Sequence, residues 1–160
     1  MKTLSPREHW DAIARSVLII DEGFKTTAYQ DTRGYWTIGV GHLIGKHVSQ
    51  LKLSNNVVLA ILNEDLKEAW AEVVNIFGEK TTATWTLARQ MALLSLSFNL
   101  GGPKLRGFVK TIAAIRAANW DEAASQLESS LWASQVGNRS ARIVFMVRTG
   151  RLHPAYSTSD

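Results

Sequence analysis

Three side chains able to take part in acid–base chemistry fall close together early in the chain: Glu22, Asp31 and Thr37. Asp31 follows Glu22 by nine residues, Thr37 follows Asp31 by six, and glycines stand at 34, 39 and 41. An acid facing a second carboxylate, with a hydroxyl to help hold water, is a layout for cleaving a glycosidic bond. Each residue also has an ordinary reading. Asp opens turns and Gly closes them, Thr is a common strand residue, and Glu22 can be a solvated residue at a frayed helix end. The elements around the three residues bear on the choice.

Ser5-Pro6-Arg7-Glu8 is a capping box with proline at the first helical position. Behind it Trp10, Ile13, Val17 and Ile20 recur at helical spacing, widened by Ala14 and Leu18, and the helix should end near Glu22-Gly23. The negative helix end and the apolar run 17–20 both favour a carboxyl that keeps its proton, which suits a general acid. Next, 29–30 and 35–40 read as strands around the turn 31–34, and His42-Leu43-Ile44 can add a third. With a three-residue loop and Gly34 as a left-handed bulge, Asp31 pairs opposite Tyr35 and Tyr29 opposite Thr37. All four then share one face, and Trp36, Ile38 and Val40 fill a core on the other. A two-residue loop would break that arrangement.

The remainder is helical. Ser54 can cap a long helix with the stripe Val58, Ile61, Leu62, Leu66, Trp70, Val73 and Phe77, ended by Gly78. Thr84 is expected to cap a helix through Leu87, Met91, Leu94 and Phe98, closed by Gly101-Gly102-Pro103. Further helices are expected at 109–118, at 120–131 behind Asn119 with Glu122 at its third position, and at 138–149 before Gly150. The pattern predicts an α+β fold of 160 residues. In it a small β-hairpin lobe (about 22–56) follows the first helix, and a larger helical lobe (5–21 and 57–160) is joined to it by the long helix. Tryptophans in these stripes read as core.

Composition narrows the function. With no cysteine there is no disulfide framework, thiolate zinc site or cysteine nucleophile. His9, His42, His47 and His153 lack metal-ligand spacing, and neither a dinucleotide fingerprint nor a nucleophile elbow occurs, so neither metal nor cofactor is expected. A net charge of +4 attracts polyanions, an acidic cell-wall polymer among them. The arginines are dispersed, which argues against dedicated nucleic-acid binding. No run approaches a bilayer span, and no signal peptide is visible, so no stable membrane insertion is expected.

The stretch DEGFKTTAYQDTRGYWTIGVGHLIGK, 21–46, resembles the catalytic segment of the phage-type lysozymes, glycoside hydrolase family 24, in their T-even coliphage form. Glu22, Asp31, Thr37, Gly39, Gly41 and His42 stand at the family's spacings. GFVKTIAAIRAANWDEAASQLESSLW and NRSARIVFMVRTG resemble its C-terminal helices, and LSLSFNLGG the helix bordering its cleft. One departure is a shorter link between His42 and the long helix.

The resemblance implies a lysozyme-like fold and a muramidase. Such an enzyme hydrolyses the β-1,4 bond between N-acetylmuramic acid and N-acetylglucosamine in bacterial peptidoglycan. Glu22 would be the general acid. Asp31 would stabilise positive charge on the sugar or orient the water, and Thr37 would help hold that water. Leu43, Phe98, Asn99, Thr111 and Gln126 match saccharide-contacting positions, His42 a structural histidine and Trp132 a core tryptophan. Arg139 matches an arginine that pairs with the catalytic glutamate; that pair would oppose the helix-end effect. The family further implies a monomeric endolysin that gathers in the host cytoplasm until a holin releases it to the wall. Alternatives are a lytic transglycosylase giving 1,6-anhydro products and a non-catalytic wall-binding or virion module. A domain of a larger tail protein is a further one, which Met1 and the capping box weigh against.

Overall fold

Ser5 starts the first helix as its sequence suggests. Its hydroxyl accepts the Glu8 N–H at 3.3 Å while the Glu8 carboxylate accepts the Ser5 N–H at 2.8 Å. Two of the orphan donors at the helix start are thereby satisfied. The computed structural model describes residues 5–45 and 52–156. The chain parts into two compact units, Met1–Glu68 and Ala69–Asp160. Part of the link after His42, the residues before Ser5 and the last four residues lie outside the described residues.

In the first unit α1 (Pro6–Glu22) buries Ala14, Val17 and Leu18. Ile20, expected on that stripe, is 47% exposed, because the buried face centres on 14, 17 and 18 and Ile20 lies about 200° round the helix from Leu18. The antiparallel sheet has the order β1 (Lys25–Gln30), β2 (Trp36–Gly39), β3 (His42–Gly45). β1 starts four residues before the expected strand. Its outer edge is partnered there: the Leu53 N–H donates to Thr26 O at 2.8 Å, and Thr27 bridges to Lys52.

The helix α2 (Asn55–Phe77) follows, with the Val57 N–H donating to Ser54 Oγ at 3.4 Å. Its early turns bury Val58, Leu62 and Leu66, and Arg15 Nη1 donates to Asn63 Oδ1 at 3.0 Å, tying α1 to α2. Ile38 and Val40 are buried as the hairpin register requires. The division between the units falls within α2.

The second unit is helical: after the end of α2 come α3 (Glu79–Ala83), α4 (Leu87–Leu100), α5 (Gly102–Arg106), α6 (Val109–Arg116), α7 (Trp120–Glu128), α8 (Leu131–Val136) and α9 (Asn138–Thr149). A 3₁₀ turn, Pro154–Tyr156, ends the described chain. Leu94, Leu127, Ile143, Met146 and Val147 are fully enclosed. Three sequence expectations are corrected. Thr84 does not cap α4; it closes α3, its hydroxyl donating to Thr81 O at 2.7 Å, and the cap is Thr86, which accepts the Arg89 N–H at 3.4 Å. The helix from 120 stops at Glu128 because Ser130 begins a new one, accepting the Ala133 N–H at 3.2 Å. Gly102-Pro103 opens the short α5 where a plain stop was expected, proline being suited to a first turn. Together the mostly helical chain and its small antiparallel sheet make an α+β fold.

Candidate active site

The first unit brings Glu22, Asp31 and Thr37 to one small sheet and the helix leading into it. The register is the one set by a three-residue loop. Tyr29 pairs with Thr37, the Asp31 N–H donates to Tyr35 O at 2.9 Å, and Gly34 takes φ +80°. On the other side of β2, Thr37 pairs with Leu43. Directly opposed residues share a face, so Tyr29, Thr37 and Leu43 form one rank across three strands, with Asp31 beside it. Leu43 is 56% exposed, whereas Thr37, flanked on β2 by the larger side chains of Tyr29 and Leu43, is only 5% exposed. The Thr37 hydroxyl donates to Tyr35 O at 3.4 Å.

Asp31 performs turn chemistry and keeps its charge. Oδ1 accepts the N–H of Arg33 and of Tyr35, each at 2.9 Å, and Oδ2 faces Arg33 Nε at 3.6 Å. The Tyr35 N–H bond above all, with the Arg33 N–H and guanidinium, holds the Asp31 carboxyl below its ordinary value against some desolvation. It is therefore an anion across the neutral range. The hairpin's punctuation and its fixed negative charge come from one side chain.

Glu22 is the last residue of α1, and its carboxyl lies against Gly41, between β2 and β3. A Cβ on Gly41 would stand 3.2 Å from Glu22 Oε2 and 3.3 Å from Cδ, at a backbone φ of +72°. Glycine at 41 thus makes room for the carboxyl. Gly41→Ala is expected to push it aside by a few tenths of an ångström and lower turnover by about tenfold, less than the ~10²-fold that a full 1 Å misplacement can cost. Gly78→Ala, also at positive φ but with nothing within 4 Å, serves as the strain control. Equal losses of activity in the two variants, at matched thermal stability, would show that Gly41 does not position Glu22.

Two residues that sequence reasoning left outside the site belong to its frame. Tyr29 stands opposite Thr37, and its phenol is pushed up by burial first, then by the charges of Glu22 and Asp31. One hydroxyl therefore feels both carboxylates and stays protonated. The Lys25 ammonium sits 4.0 Å from its ring centroid. Asp65 on α2 meets His42 Nδ1 at 2.9 and 3.1 Å, anchoring the start of β3 to the helix. Nothing in the spacing of His42 and Asp65, 23 residues apart, marks that pair.

The other expected positions lie in the second unit. Phe98 is half-buried and Asn99 exposed at the end of α4, where Asn99 Oδ1 accepts the indole N–H of the buried Trp132 at 2.8 Å. Gln126 is half-buried on α7 and donates to Glu122 Oε1 at 2.8 Å. Thr111 is 3% exposed within α6, so its side chain is withheld from the surface. Arg139 is buried in the first turn of α9. Among the described residues no group of three or more His, Asp or Glu side chains could hold a metal ion, and no helix is long and apolar enough to cross a membrane.

The chain belongs to the phage lysozyme family, whose model matches residues 20–145 and so takes in the end of α1, the sheet and most of the helical unit. At the level of the family this is a peptidoglycan-hydrolysing enzyme. Among its relatives is "Probable T4-type lysozyme 1" of Dictyostelium discoideum, 28% identical over 87% of this chain and 95% of that protein. "Probable T4-type lysozyme 2" of the same organism is 28% identical over 86% and 95%. The "Pre-baseplate central spike protein Gp5" of Enterobacteria phage T4 is 30% identical over 82% of this chain, a match that covers 27% of that larger protein.

Proposed function

We propose that the chain is a muramidase that hydrolyses the β-1,4 bond between N-acetylmuramic acid and N-acetylglucosamine, with Glu22, Asp31 and Thr37 as its catalytic residues. The observation that carries this reading is the Glu22 carboxyl seated against Gly41, beside a sheet that holds an ionised Asp31 at its turn and Thr37 on its central strand. Glu22 gives its proton to the glycosidic oxygen as the bond to the anomeric carbon breaks. A water held by Thr37 and Asp31 attacks that carbon, and its proton passes to Asp31. Leu43 extends the same rank and offers an exposed apolar surface to a sugar ring. Phe98, Asn99 and Gln126 are further saccharide contacts in this reading.

Muropeptide analysis by mass spectrometry tests the reaction. Hydrolysis yields reducing ends, one water heavier than the 1,6-anhydro ends of a transglycosylase. Anhydro ends throughout would overturn the hydrolytic assignment, and no released fragments would overturn the enzymatic one.

In biological terms we read the protein as a monomeric endolysin, gathered in the host cytoplasm and admitted to the wall by a holin. The match to the T4 spike protein favours a second setting, in which the same hydrolase opens the wall as part of a virion. Virion proteomics distinguishes them: a free endolysin is absent from purified particles and a structural hydrolase is present in fixed copy number.

A further inference from the structure

The positive charge of the chain is unevenly spread. Residues 69–160 carry ten Lys and Arg against six Asp and Glu, whereas residues 1–68 carry eight of each. The whole net charge of +4 therefore belongs to residues 69–160, while the half of the chain that contains Glu22 and Asp31 is neutral overall.

Part of that charge lines an open cleft of about 510 Å³ formed by α3, α4, α6 and α7. Lys80, Arg89 and Arg116 face it, Trp85 and Trp120 give it aromatic walls, and no lining residue is acidic. The aromatic surface is built in steps. Phe77 meets Trp85 edge-on at 5.0 Å between centroids, and Trp85 meets Trp120 edge-on at 5.7 Å. The Arg89 guanidinium stacks 4.2 Å from the Trp120 ring centroid while its Nε donates to Val147 O at 3.1 Å. Arg116 is anchored by Nη2 donating to Ile76 O at 2.8 Å, and Lys80 is exposed at the rim.

We propose that this cleft is an accessory binding site for a phosphorylated saccharide. The half-buried Trp120 indole offers apolar surface to a sugar ring, and Arg89 and Arg116, each already held to backbone carbonyls, keep further N–H donors for phosphate oxygens. Cations from three elements meet the nearly dianionic charge of a phosphate monoester better than the single charge of a carboxylate. Anchoring both arginines to carbonyls before the ligand arrives reduces the ordering cost of binding. The Trp120 side chain is only half-buried and serves this surface. Such a site would hold the enzyme near an acidic envelope polymer without taking part in bond cleavage.

The test is titration of the full-length protein with N-acetylglucosamine 6-phosphate, followed by the indole N–H resonances. N-acetylglucosamine and inorganic phosphate serve as comparison probes. Saturable binding is expected, with shifts at Trp85 and Trp120, tighter than either comparison probe and weaker as salt rises. Lys80→Gln should weaken it about threefold and Lys80→Gln with Arg116→Gln about tenfold, each an exposed charge pair lost. Thermal unfolding checks the double variant, which loses the Ile76 anchor; Lys80→Gln alone keeps the test independent of folding. Glu22→Gln should bind as the wild type does, so the outcome is separate from the hydrolytic reading. Absence of saturable binding, shifts confined elsewhere, or unchanged affinity in Lys80→Gln would overturn the proposal. Two arms separate the sources of the phosphosugar: vesicles carrying a phosphorylated glycolipid, and soluble wall fragments carrying phosphosugars. Retention that falls in Lys80→Gln on either identifies the source, and retention on neither overturns the proposal.

Discussion

Glu22→Gln is expected to lower turnover on peptidoglycan by about 10² to 10⁴-fold, the usual contribution of a positioned general acid. That range corresponds to roughly 3–5 kcal/mol of lost transition-state stabilisation. The substitution isolates the proton because glutamine has nearly the same shape and can occupy the same place against Gly41. A neutral amide has no acidic proton to give a departing alkoxide, so the leaving group must depart unassisted. Helix α1 should be unaffected, since its cap and its buried residues Ala14, Val17 and Leu18 lie elsewhere. The measurement is clearance of outer-membrane-permeabilised Gram-negative cells, with thermal unfolding as the control on folding. If wild type and variant clear the cells equally, Glu22 is not the acid.

Much of this site was readable in the sequence because its geometry is local. A hairpin with a three-residue loop and a glycine at its left-handed position allows one register, and that register puts Tyr29, Asp31, Tyr35 and Thr37 on one face. The capping box at Ser5 and the glycines after Glu22, Phe77 and Thr149 likewise mark helix ends through short-range chemistry. What escaped was decided by packing or by competing caps. Thr84 was expected to cap α4, but it is taken up in closing α3, and Thr86 two residues on serves instead. The break between α7 and α8 rests on Ser130, one serine among several nearby. Thr37 was expected to line a groove, yet its short side chain is almost wholly buried between the larger Tyr29 and Leu43 that flank it on the same face. The His42–Asp65 pair joins residues far apart in sequence, and no periodicity signals such a contact.

Asp31 supports two opposed predictions from one side chain, because one of its oxygens is committed to the turn. Asp31→Asn keeps an Oδ1 able to accept the Arg33 and Tyr35 N–H groups, so the hairpin should persist. The negative charge goes, and with it the ability to steady a cationic sugar or take the proton of the attacking water. Turnover should therefore fall by about 10² to 10⁴-fold while the neutral-pH melting temperature changes little. Asp31→Ala removes the acceptor as well and should lose activity and hairpin stability together.

The pH dependence gives an independent reading. The folded carboxyl titrates below the ordinary aspartate value of 3.8, since the Tyr35 N–H bond favours its ionised form. Its contribution to stability is thus complete above that value and is lost as pH falls through the lower folded value. The asparagine variant has no such group to titrate. Any stability advantage of wild type over Asp31→Asn should hold from neutral pH down to about the ordinary value, then shrink on further acidification. Chemical or thermal unfolding of both proteins across the acid range measures this difference, and groups common to both cancel. A difference that grows as pH falls would mean that the native Asp31 carboxyl prefers its proton, and the charge assigned to the catalytic anion would be wrong.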